Sequence, residues 1–222
     1  MSSKRELTFE IVELAFGTVV DDSQIDVRLI SKWIDNQRAL WIKNDLNKNH
    51  NIDPKLVQDL GCVELETVDS SECADLCSGL ESGCSIKRTK LQIPQTIERH
   101  NDTTFVRVAP IGRMNISFSF VPYQRAIFAG HGRFNKNTIF AFLWGGYIYI
   151  ISNNNFIAFR GLKYINIQGV FEDPSLVSSF TTCTGTTCYS DEDEYPLNDW
   201  MWNYIKIEVL KMIGIKLSAP TD

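Results

Sequence analysis

Thr138-Ile-Phe-Ala-Phe-Leu-Trp-Gly-Gly-Tyr-Ile-Tyr-Ile-Ile-Ser152 consists of two aromatic and β-branched runs separated by a pair of glycines. Gly145-Gly146 can take positive φ at both central positions of a two-residue turn, so the stretch predicts a β-hairpin. Its apolar part, Ile139 to Ile151, is the longest in the chain, yet it falls short of the roughly 18 residues needed for a membrane span. Phe140, Phe142 and Trp144 share one face by strand alternation, which is most simply the core side of a sheet.

The strand pattern continues on both sides of the hairpin. Upstream, Val63, Leu65 and Thr67 alternate with acids in a period of two. Further strands are expected at Ile86–Ile93, around Phe105–Val108, and through Ile116, Phe118 and Phe120. Downstream, Asn153-Asn154-Asn155 suits a turn because Asn tolerates left-handed geometry. Phe156–Arg160 and Tyr164–Phe171 would then complete an antiparallel meander. A Cys- and Ser-rich excursion, Ser71–Ser85, interrupts the series.

The ends of the chain read differently. Leu7, Ile11, Leu14 and Ala15 recur at helical spacing until Gly17. Asp21-Asp22-Ser23 supplies a capping signal for a second helix over Gln24–Asn49. About 26 residues there would span roughly 39 Å. Ile25, Leu29, Ile30, Trp33, Ile34, Leu40 and Trp41 make its expected buried stripe. Asp26, Arg28, Lys32, Asp35 and Lys43 fall on the expected outer face. Pro196–Gly214 is strongly amphipathic through Leu197, Trp200, Met201, Tyr204, Ile205, Val209, Met212 and Ile213. The fold class is therefore α+β: a helical body from residues 1–53 and 194–222, a β-rich insertion over 54–180, and an acidic Cys-containing loop over 181–193. Both that loop and the tail Lys216–Asp222 are expected to order only against a partner.

Composition excludes several function classes. The formal net charge is −5, and the densest charge cluster is acidic (Asp191, Glu192, Asp193, Glu194), the reverse of a phosphate-binding face. The polar N-terminus lacks a signal-peptide core, so the chain is expected to fold in a cytoplasm, where thiols stay reduced. Cys62, Cys73, Cys77 and Cys84 could offer four soft metal ligands, but structural zinc favours two close pairs and only Cys73–Cys77 qualifies. Free or packed thiols are the simpler reading, and Cys183 and Cys188 read as loop thiols. His50, His100 and His131 are scattered. His131 lies between two glycines but has no recognisable nucleophile or orienting acid. The acidic run lacks calcium-loop spacing, and no phosphate-loop, dinucleotide or hydrolase motif occurs. No catalytic, metal-binding or cofactor-binding residue is assigned.

Trp200 and Trp202 cannot share one helix face. If Trp200 packs inward with Met201 and Tyr204, Trp202 points elsewhere; either a broad core covers both rings or one awaits another surface.

Three segments carry a family likeness: Ile30-Ser-Lys-Trp-Ile-Asp-Asn-Gln-Arg-Ala-Leu-Trp-Ile-Lys43, Gly169-Val-Phe-Glu-Asp-Pro174, and Tyr195-Pro-Leu197 with the helix after it. Together they resemble structural proteins of crAss-like short-tailed bacteriophages of gut Bacteroides, most of all the ring or adaptor proteins below the portal. The resemblance implies a non-enzymatic virion protein, made in the host cytoplasm and forming a homo-oligomeric ring of twelve copies. That ring would contact the portal and other connector or tail rings at the portal vertex and continue the DNA channel. DNA would pass without specific binding, and no membrane would be involved. The alternative is a tail-associated receptor- or glycan-binding module that uses the aromatic strands as a stacking surface. A hydrolase built on His131, Cys183 or Cys188 is a third reading.

Overall fold

The computed structural model describes residues 2–17, 26–49, 51–68, 86–99, 102–112, 116–126, 138–151 and 161–218. Helix α1 (Lys4–Phe16) opens with a reciprocal capping box: the Glu6 amide donates to Ser3 Oγ, and the Ser3 amide donates to Glu6 Oε2. It closes at Gly17, where the helical pattern was expected to end, and the φ of 75° there makes a left-handed cap. Helix α2 spans Val27–Asn49, and the Asp26 carbonyl accepts from Leu29 and Ile30 at its start. The expected caps Asp21–Ser23, and Ile25, lie outside the described residues.

The buried stripe of α2 differs from the expected one. Ile30, Ile34, Asp35, Gln37, Arg38, Ile42 and Leu46 are buried, while Leu40 is exposed and Trp33 and Trp41 lie half-buried at the margins. Asp35, expected on the outer face, turns inward because partners await it there. A hydropathy pattern cannot register a charged residue that buries with its counter-charge.

The sheet comprises β1 (Gln58–Asp59), β2 (Val63–Thr67), β3 (Ile86–Thr89), β6 (Phe105–Pro110), β7 (Ser119–Phe120), β8 (Phe140–Trp144), β9 (Tyr147–Ile151) and β10 (Tyr164–Gly169). A separate small ladder joins β4 (Glu98–Arg99) to β5 (Asp102–Thr103). The main order is β1-β10-β2-β3-β9-β8-β7, with β6 also on β10. This is not a meander, and it is not wholly antiparallel, because β7 runs parallel to β8. Its ends approach each other: the Phe118 amide donates to the Val108 carbonyl at 2.7 Å, so the sheet curls back on itself. The β8–β9 hairpin turns through Gly145 and Gly146 at φ 59° and 83°, the geometry expected of that pair.

Curling gives the sheet a buried interior of Val63, Val108, Phe118, Ala141, Ile148, Ile150, Ile165 and Ile167. The other side of the hairpin is covered as well: Phe142, Tyr149 and Ile151 pack with Ile86 and Ala126 of α3 (Tyr123–Ala126). The hairpin is apolar on both faces for this reason.

Helix α4 (Asp199–Ser218) returns to α1 and α2 and buries Met201, Ile205, Val209 and Ile213 against Ile11, Ile30, Ile34, Ile42 and Leu46. Leu56, Ile97 and Val170 extend this cluster toward the sheet. Residues 174–179 form a 3-10 turn and 181–198 an irregular strap. The strap makes contacts within the chain. Its backbone bridges Thr181 to Thr187 and Ser3 to Glu194, and the Tyr195 amide donates to the Ser2 carbonyl.

Candidate functional site

A concavity of about 1120 Å³ lies between the sheet and the strap, with Leu91, Phe118, Leu162, Tyr164 and Phe180 in its wall. Lys90 at its edge is paired with Glu64 at 3.0 Å. None of its described lining residues is a histidine, and its two lining cysteines are bonded to each other.

That bond, Cys62–Cys183, corrects the expectation of free thiols. The two residues are 121 apart in sequence with Cα atoms at 5.0 Å, within the range a disulfide requires. It also removes Cys62 from the four-thiolate set. Cys73, Cys77 and Cys84 lie outside the described residues, as do His50, His100 and His131. Among the described residues no group of three or more His, Cys, Asp or Glu could hold a metal. Cys188 is half-buried, and desolvation raises its thiol pKa, opposite to what an activated nucleophile needs. The strap approaches Gly61 so closely that a Cβ there would meet Thr181 O at 2.7 Å and Cys188 Sγ at 2.8 Å. No spacing rule connects positions 62 and 183; only the folded strap brings them together.

The most organised polar cluster is buried between helices and sheet. Arg38 is fully buried. Its Nε donates to the Pro196 carbonyl at 2.7 Å and its Nη1 to the Phe171 carbonyl at 2.8 Å, while its guanidinium lies 5.6 Å from the Tyr195 ring centroid. Asp35, one turn earlier, accepts from Lys4 Nζ and from Tyr195 Oη, each at 2.7 Å. Lys4 also donates to Ser175 Oγ at 2.8 Å. Burial raises the Asp35 carboxyl pKa against the opposing pull of Lys4, and raises the Tyr195 hydroxyl well above its ordinary value. These groups pair with one another in the interior, so the cluster is a structural tie. It joins all three segments that carry the family likeness: α2, Gly169–Pro174 and Tyr195–Leu197. Arg38, its centre, was not singled out in the sequence reading. The available signal was an arginine on the apolar side of an otherwise well-patterned helix.

The aromatic residues divide clearly. Trp202, not Trp200, turns inward; its Nε1 donates to Glu10 Oε2 at 2.9 Å, and Lys206 reaches the other oxygen at 2.8 Å. Trp200 and Tyr204 face outward at 48% and 49% exposure. Trp41 stacks on Tyr204 with centroids 4.9 Å apart, and Trp200 meets the same ring edge-on at 6.3 Å. On the sheet, Phe140, Phe142 and Tyr149 are buried, and Trp144 stacks on Tyr123 at 5.3 Å. The hairpin therefore offers little open stacking surface for a sugar.

A protein assembled this way, with its polar centre sealed inside and aromatics left on a helical surface, suits a building block better than a catalyst. Comparison with known families agrees: the model for Phage tail ring protein 2 matches residues 7–222. The chain belongs to that family of crAss-like phage tail ring proteins. No curated protein matches it significantly. Family membership makes it a structural component of the virion, and a tail ring protein implies a non-enzymatic role and self-assembly into rings with other tail proteins. No described helix is long and apolar enough to cross a membrane.

Proposed function

We propose that this ring protein forms a twelve-membered ring at the portal vertex, joining the capsid portal to the tail and continuing the channel through which DNA passes. The family match over residues 7–222 carries the reading. Within the subunit, residues 1–53 and 194–222 would form the ring body, and the curled sheet within 54–180 would reach toward neighbouring tiers. The net charge of −5 suits a wall past which DNA slides, because a basic lining would hold phosphates. No catalytic, metal or cofactor site takes part. Electron microscopy of the chain mixed with the portal protein from the same genome tests the proposal. A twelve-fold ring of this chain seated on the portal is the expected result. A bare portal beside well-folded chain would remove the portal-adjacent position, and another rotational order would remove the copy number.

A further inference from the structure

We propose that the outward face of α2 and α4 docks a second copy of this chain, and that the surface it receives is the neighbour's acidic strap at 190–194. The inference rests on the ring reading and adds the contact that would close the ring.

Four side chains define the face: Leu40 on α2, and Trp200, Tyr204 and Ile207 on α4, at 50%, 48%, 49% and 50% exposure. The α4 members recur at i, i+4 and i+7, forming one ridge on the side opposite Met201, Ile205 and Val209. The Trp41–Tyr204–Trp200 ring contacts hold the aromatics in place, so little side-chain freedom remains to be lost on binding. Half of each aromatic or large aliphatic residue leaves on the order of 300–400 Å² of apolar surface open. That is about half of the ~800 Å² that one partner contributes to a stable interface. Such a patch is large enough to be the anchor of a contact and needs a polar rim to complete it.

Two cations flank the face: Lys32 and Lys43 are exposed on the α2 ridge that carries Leu40, whereas Lys211, one turn beyond Ile207, is paired with Glu208 at 2.7 Å. The complementary charge sits elsewhere on the same chain. Asp191, Glu192, Asp193 and Glu194 are all exposed on the strap where it crosses the start of α1. The strap is held in shape: the Ser190 amide donates to Asp193 Oδ2 at 2.7 Å, and Arg5 pairs with Glu192 at 2.6 Å. An apolar face flanked by two cations, and a preformed anionic strap on another element, are the two unlike surfaces that a head-to-tail ring contact requires. Charges of opposite sign also set the register of such a contact.

Cryo-electron microscopy of the intact virion tests the assignment. The expected result is a ring of this chain in which Trp200, Tyr204 and Ile207 are covered by the adjacent copy, with its 190–194 strap beside Lys32 and Lys43. A ring of this chain with the face open to solvent, or covered by a different protein, overturns the docking assignment and leaves the ring reading intact. Absence of any ring of this chain overturns both. A full-length Leu40→Asp, Ile207→Asp variant provides a second measurement. Both positions are half exposed, so its thermal transition should stay near the wild-type one while its incorporation into particles falls at least tenfold. Wild-type incorporation would overturn the assignment.

Discussion

Replacing Arg38 with methionine tests whether the buried tie holds helices and sheet together. The substitution keeps most of the side-chain volume and removes the guanidinium. Two charge-assisted hydrogen bonds, to the Pro196 and Phe171 carbonyls, are lost, at about 1.5–3 kcal/mol each. Both carbonyls are then left without their buried partner. A gain opposes this loss: the methionine needs no desolvation of a charge, and Arg38 Nη2 has no partner among the described residues. Allowing about 2 kcal/mol for that relief leaves a net loss of about 1–4 kcal/mol, a sizeable part of an ordinary domain's roughly 5–15 kcal/mol. With a urea slope of ~2 kcal/mol/M, the unfolding midpoint should fall by roughly 0.5–2 M. Arg38→Lys should recover little, because one ammonium cannot reproduce the planar fork that reaches two carbonyls on separate segments. Hydrogen exchange at 195–198 should accelerate in both variants. A methionine variant with an unchanged or higher midpoint would refute the claim that this cluster ties the segments.

Three other outcomes follow from separate features. Under oxidising conditions Cys183→Ser should destabilise the chain by about 4–5 kcal/mol, the chain-entropy value for a loop of this length; excess reductant should bring wild type to the same midpoint, and equal stability with and without the bond would contradict the Cys62–Cys183 pairing. Gly61→Ala should cost roughly 2 kcal/mol or more, since φ is 65° and the new methyl would press on Thr181 O and Cys188 Sγ; a neutral calorimetric result would mean the strap does not pack there. Tyr189 and Tyr195 have hydroxyl pKa values raised by burial above the ordinary 10.0. The fold therefore favours their neutral forms, and that contribution is complete below pH 10 and lost as pH climbs toward the folded values. In an alkaline titration followed by tyrosinate absorbance, these two should ionise only as the chain unfolds, whereas ionisation before unfolding would place them in solvent.

The legible parts of this fold were those governed by local pattern. Gly17, the Gly145-Gly146 turn, the alternation at Val63–Thr67 and the amphipathic closing helix each act within a few residues; the first three formed where expected, and the helix runs Asp199–Ser218 instead of Pro196–Gly214. Positions that depend on distant partners were not legible. Asp35 read as a surface acid because Lys4 and Tyr195, which bury it, lie 31 and 160 residues away. The short strands at Gln58–Asp59, Glu98–Arg99 and Asp102–Thr103 carry no periodicity long enough to register. Strand order was hidden too, because the pairing of β10 with β2 and β6 depends on curling rather than on adjacency. The Trp pair was legible as a conflict, but its direction was not: Glu10, on another helix, draws Trp202 inward.

The three segments that carry the family likeness meet inside the molecule, and this bears on where function resides. Arg38 and Asp35 from the first, Phe171 from the second, and Tyr195 and Pro196 from the third satisfy one another's polar groups in a buried cluster. Substituting Arg38, Asp35 or Tyr195 would leave a buried donor or acceptor unpaired, whereas Phe171 and Pro196 offer backbone carbonyls that any residue there would retain; the side-chain members constrain one another for reasons of folding alone. The likeness therefore transmits architecture. What the ring touches is a separate matter: the side chains of Trp200, Tyr204 and Ile207 take no part in that cluster's hydrogen bonds, and the acidic strap meets it only at its margin, where Ser175 Oγ donates to Asp191 Oδ1 at 3.4 Å. Two ring proteins could share the whole tie and still differ in neighbours if those surfaces differed. A chimera carrying this chain's interior and another ring protein's α2–α4 ridge and strap should fold like this chain and assemble like the other.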